Sequence, residues 1–197
     1  MSKYTAIIPT VYGQAMIAES FAKKEPLIFT KIKLGDGTLS AGESSVNFKD
    51  LKNTLMECPV NELDNSTAGQ VTLKATADNS TVETGFFARE FGVFAKVGES
   101  GSEQLFAYTN AGNYSDYMPD KTSTLDESIF AVTLPVGNAS TVTAVINSQQ
   151  YATVENLNNH NNSDSAHANL LQVTSEADKP ASMADRGLWV EIVDKEV

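Results

Sequence analysis

Gly85-Phe-Phe-Ala-Arg-Glu-Phe-Gly-Val-Phe-Ala-Lys96 is the most apolar stretch of the chain. Its alternation predicts a strand with Phe87, Phe91 and Val93 on one face and Phe86, Ala88 and Phe94 on the other. A strand that is apolar on both faces has to be covered on both. A helix on one side and a second sheet or another subunit on the other would do this. Arg89 and Glu90 interrupt the run and point to opposite faces. Each needs a partner if buried, because an unpaired buried charge is costly.

Working outward, Gly98 to Ser102 reads as a hairpin turn and Gln104-Leu-Phe-Ala-Tyr-Thr109 as the return strand. Upstream, Leu27 to Leu34 alternates as a strand and runs into Gly35-Asp36-Gly37. Glycine there permits a positive φ, so a tight turn is expected, followed by a polar loop to about Asn47. Asn53 to Leu63 is a further strand, with Pro59 marking an edge or a bulge. Val71, Leu73, Ala75 and Ala77 form the dry face of another. Ser128 to Val136 and Ser140 to Ile146 add two more, turned by Gly137-Asn138. Ahead of all these, Val11, Ala15, Ala18 and Ala22 recur at helical spacing, with Thr10 as the cap and Pro26 as the stop. Asn110 to Ser123 is a long polar loop carrying Tyr114, Tyr117 and Pro119.

After Asn147 the composition changes. Tyr151, Val154 and Leu157 make an apolar stripe wide enough for a seam between helices but too narrow for a globular core. The stretch around His160 and His167 is polar and low in complexity. Leu170 to Val173 and the Trp189 segment are short apolar pieces that call for burial against another chain. The expected fold class is therefore α+β and mainly β. Antiparallel strands form a small sandwich-like body with an N-terminal helix, followed by a helix with a seam for other helices and an extended tail. The expected divisions are 1–147, 148–169 and 170–197.

The chain has 25 acidic and 14 basic residues and a net charge of −11, which disfavours nucleic acid and anionic lipid as partners. No apolar run reaches the roughly 20 residues that span a bilayer, and the first residues lack a signal peptide's apolar stretch. Membrane insertion is not expected, and folding in a cytoplasm is. Cys58 is the sole cysteine and reads as a small buried hydrophobe, so neither a disulfide nor a multi-cysteine metal site is available. No catalytic constellation or cofactor motif stands out. His160 and His167 are the only histidines. Three chains would offer six imidazoles to a metal on a threefold axis, but solvated linker histidines are the simpler reading. Tyr108, Tyr114 and Tyr117 can be read as a sugar-stacking platform or as anchors for the loop or a protein partner.

Several segments, in order, resemble the N-terminal collar region of tail fibres from contractile-tailed bacteriophages and related phage-tail-like particles. The opening stretch from Tyr4 to Ala22, which contains the helix, the strand ending in Gly35-Asp36-Gly37, and Leu105-Phe-Ala-Tyr108 with its loop all match. So does the passage from Ser148 toward a fibre shaft. The most distinctive match is the aromatic pair Phe86-Phe87 followed by Arg89-Glu90 and an apolar-Gly-apolar run. The resemblance implies a structural protein rather than an enzyme. It implies a homotrimeric fibre or fibre adaptor, made in a bacterial cytoplasm and located in the tail of a virion or phage-like particle, with the helix after the body as a trimerising helix. The 1–147 body would attach to the baseplate, Tyr151, Val154 and Leu157 would form the trimer seam, and a distal fibre protein could be a further partner. Tyr114, Tyr117, Pro119 and Trp189 are the candidate partner contacts. A rival reading uses the tyrosine loop or Trp189 to recognise host surface carbohydrate. An enzyme acting on that polysaccharide lacks a convincing pair of acids.

Overall fold

The structure, a computed structural model, describes residues 4, 6–137, 139, 141–146, 160, 171–174 and 188–191. The chain divides into two compact units, Met1–Asn147 and Ser148–Val197. In the first, the strands are β1 (Ile8–Pro9), β2 (Leu27–Gly35), β3 (Thr54–Asp64), β4 (Gln70–Asp78), β5 (Phe86–Phe87), β6 (Glu90–Val97), β7 (Gln104–Asn110), β8 (Tyr117–Met118), β9 (Glu127–Pro135) and β10 (Val142–Ala144), with one α-helix, α1 (Val11–Lys23). The main sheet runs β1-β7-β6-β2-β3-β4-β9, and β10 joins it beside β2. All its pairings are antiparallel except β10 with β2.

The sheet curls on itself. Phe91 of β6 and Phe130 of β9 lie four strands apart in the sheet order, yet their rings are 5.6 Å apart. The sandwich-like body is thus one sheet whose arms face each other across a core that includes Phe29, Ile32, Leu73, Val93, Phe106 and Leu134. Pro59 marks the place where the sheet divides. Lys31↔Pro59 ends the pairing of β3 with β2, and Val60↔Ala75 begins its pairing with β4. The edge of β2 vacated by β3 is taken by β10, which pairs with Leu27–Phe29. The strands on either side of Gly137 therefore do not form a hairpin. β9 pairs with β4 and β10 with β2.

The second cover of β6 is neither a second sheet nor a partner chain. The polar-looking segment 38–53 folds back and sets Leu39, Phe48 and Leu51 against Phe94, Leu105 and Tyr108. Phe48 meets the Tyr108 ring edge-on at 5.2 Å. A helical period cannot reveal this cover, because its three anchors lie nine and three residues apart in irregular chain.

α1 also buries a different face from the expected one. Val11, Ala15, Ala18 and Ala22 are exposed, whereas Gly13, Met16 and Ser20 are buried. Backbone approach decides this. A Cβ on Gly13 would lie 2.1 Å from the Phe106 carbonyl oxygen. Thr10, fully buried, locks the first turn. Its hydroxyl donates to the Leu105 carbonyl at 2.6 Å and accepts from the Gly13 N–H at 3.0 Å. At the other end Lys24 adopts φ 56°, the left-handed conformation that favours glycine. Cys58 is buried, and burial, with Asp78 and Glu57 adding negative charge, pushes its thiol up to about 12. It packs as an inert hydrophobe.

In the second unit, β11 (Leu171–Thr174) pairs in parallel with β12 (Leu188–Glu191). Tyr151, Val154, Leu157 and His167 lie outside the described residues. Among the described residues no helix is long and apolar enough to cross a membrane.

Exchanges between glycine and a larger residue at the two ends of α1 should act in opposite directions. Gly13→Ala is expected to destabilise the body by about 3 kcal/mol through overpacking against backbone. Lys24→Gly should stabilise it by about 0.5–1 kcal/mol by relieving the left-handed strain. Urea unfolding of the two variants measures both.

Candidate functional site

Glu90 opens β6 and is fully buried. Among the described residues no cation touches its carboxylate, and four hydrogen bonds hold it. Oε1 accepts from the Lys52 N–H at 2.8 Å and from the Tyr108 hydroxyl at 2.8 Å. Oε2 accepts from the N–H groups of Gly37 at 2.9 Å and Asn53 at 3.0 Å. Backbone dipoles, fixed by the strands, thus replace the solvation the charge gave up. Asn110 extends the network, its amide donating to the Tyr108 hydroxyl oxygen and to the Gly37 carbonyl, both at 3.0 Å. Burial, with the Glu90 charge adding to it, pushes the Tyr108 phenol up, so it remains a donor.

Two stretches separated by about fifty residues therefore form one device. Gly35 and Gly37 do not take a positive φ, contrary to the tight-turn expectation. They are glycines because neighbours press against them: the Glu90 carboxylate at both, and at Gly35 the Asn53 carbonyl oxygen more closely still, 2.2 Å from where a Cβ would lie. A Cβ would lie 2.7 Å from Glu90 Oε2 at Gly35 and 2.4 Å at Gly37. Asp36, between them, accepts from the Asn53 side-chain amide at 2.7 Å.

The expected single strand from Gly85 breaks into β5 and β6 at Ala88–Arg89. β5 leaves the main sheet and pairs with β8 in a two-stranded ribbon, Phe86↔Met118 and Phe87↔Tyr117. Phe86 and Met118 are buried, anchoring its inner side. Phe87 and Tyr117 face out, 45% and 52% exposed, with ring centroids 5.2 Å apart. The Arg89 guanidinium lies over the Phe87 ring at 5.1 Å and donates from Nη1 to the Asp36 carbonyl at 3.3 Å. Backbone bonds tie the ribbon down. The Ala88 N–H donates to the Asp116 carbonyl at 3.0 Å and the Ala111 N–H to the Arg89 carbonyl at 2.8 Å.

Tyr114, three residues before Tyr117, is 71% exposed, and Pro119 is half-buried. Tyr108 is buried, so the three tyrosines do not form one platform. Phe87, read only as part of a strand face, is the ring that pairs with Tyr117. Trp189 lies in β12, its backbone paired with Gln172. His160 is exposed. Among the described residues, no group of three or more His, Cys, Asp or Glu side chains is arranged to hold a metal.

Residues 1–155 match the N-terminal region of phage tail-collar fibre proteins. The chain belongs to that family. A tail-collar fibre protein is a structural component of a phage tail, and the family is not one of enzymes. The match spans every element of the collar body, including the Glu90 network and the aromatic ribbon. No curated protein and no solved structure matches this tail-collar chain.

Replacing the carboxylate should be costly for the collar body. Glu90→Gln presents an amide donor where two donors already point, and is expected to lose about 2–4 kcal/mol of stability. Tyr108→Phe should lose only about 1 kcal/mol. In a double-mutant cycle, Gly37→Ala and Glu90→Ala should couple by about 1 kcal/mol or more, because the added methyl acts by displacing the carboxylate. Chemical denaturation of the set measures all three.

Proposed function

We propose that the protein is a homotrimeric tail fibre or fibre adaptor whose body, residues 1–147, attaches to the baseplate through the β5–β8 ribbon. Residues 148–169 gather three chains, with Tyr151, Val154 and Leu157 as the seam, and 170–197 form a shaft-like segment. A distal fibre protein is a further partner in the adaptor case.

What carries the reading is the exposed Phe87–Tyr117 pair on a ribbon anchored by buried Phe86 and Met118. Rigid aromatic rings beside an arginine have the composition of an interface hot spot. Other large apolar side chains are exposed on the body, Phe21, Leu125 and Ile129 among them. Leu125 and Ile129 carry no ring and Phe21 meets no second ring or cation among the described residues, whereas the ribbon joins two rings and a guanidinium. Family membership supplies the setting, a phage tail.

The rival reading, recognition of host surface carbohydrate, draws on the same rings, since aromatic faces also stack on sugars. Particles carrying Phe87→Ala/Tyr117→Ala separate the two. Attachment predicts particles that lack this protein, while its thermal midpoint changes little. Carbohydrate recognition predicts a full complement of the protein and loss of adsorption to host cells. Full incorporation with normal adsorption sinks both.

A further inference from the structure

Among the described residues, Arg89 is the cation that lies over an exposed ring without an acid partner. In a chain with 25 acidic and 14 basic residues, carboxylates are abundant. Seven described lysines form ion pairs, including the deeply set Lys33 with Asp50 at 3.0 Å. Arg89 pairs with no described carboxylate. Among the described residues its five N–H groups have one acceptor, the Asp36 carbonyl at 3.3 Å, and its buried Nε has none. The charge is half-buried over the Phe87 ring, where an opposite charge is worth more than in open water.

We infer that Arg89 receives a carboxylate from an acidic, apolar-flanked segment of a different tail protein, whose apolar side chain packs on Phe87 and Tyr117. This rests on the reading above that the ribbon meets the baseplate. Charge complementarity selects the occupant. An arginine is a planar fork suited to carboxylate, and no described carboxylate of its own chain pairs with it.

The test uses the purified full chain and particles assembled without its gene, mixed and sedimented. Arg89→Gln should weaken binding by about tenfold or more, and Arg89→Lys should weaken it less. Amidating the particles' carboxylates with carbodiimide and an amine should weaken the unsubstituted chain to the level of Arg89→Gln and leave Arg89→Gln unchanged. Arg89→Gln binding as tightly as the unsubstituted chain overturns the inference, as does amidation that weakens both alike. Self-association that depends on Arg89, read by light scattering, also overturns it by making the occupant a second copy. Binding that depends on Phe87 and Tyr117 but not on Arg89 removes the carboxylate and spares the attachment reading. Binding indifferent to all three removes both. Thermal midpoints accompany each variant, and Arg89→Lys, which keeps the charge, carries the test if Arg89→Gln does not fold.

Discussion

A carboxylate sealed inside a protein without a cation survives only if fixed dipoles surround it, and Glu90 depends on three backbone N–H groups and one phenol for this. Those donors come from the end of β2, the entry to β3 and the middle of β7. None can shift without orphaning the charge, so the carboxylate fixes the relative placement of three segments at once. The polar segment 38–53 enters and leaves between two of those donors, Gly37 and Lys52, and so closes over Phe94 and Leu105. The miniature core beneath it and the network at its feet support each other.

The same constraint reaches the surface. Arg89 lies next to Glu90 in sequence and bonds to Asp36, inside the glycine pair that the carboxylate touches. The break at Ala88–Arg89 turns β5 out of the sheet, and its pairing with β8 sets Phe87 beside Tyr117. Rings held on a short ribbon with a buried inner side lose little conformational freedom on binding. That freedom is a large part of what association must overcome.

Much of this architecture was legible in the residues. The long strands, the capped helix and the hairpin at Gly98 follow from alternation, capping chemistry and turn glycines. The distinctive Phe-Phe-Ala-Arg-Glu stretch points to the right place. What was not legible has a common cause: long-range geometry with no local period. Gly35 and Gly37 resemble turn glycines until the carboxylate from Glu90 is in view. The buried face of α1 is set by one close approach at Gly13, which hydrophobic spacing does not register. Segment 38–53 is polar by composition, and its three apolar anchors acquire meaning only against Phe94 and Tyr108. Alternation places Phe87 on one face of a continuous strand, and the break at Ala88–Arg89 that exposes it has no glycine or proline to announce it.

β10 is the strand through which the body hands the chain onward, and it lies parallel to β2 near the middle of the sheet. The Leu27 N–H donates to the Thr141 carbonyl and the Val145 N–H to the Phe29 carbonyl, both at 2.8 Å, so the two strands are joined at both ends of their overlap. Tension on the chain beyond Ile146 runs along β10 and loads these rungs together, in shear, instead of peeling them one by one. A pull on the chain at this end of the body would therefore meet both rungs at once.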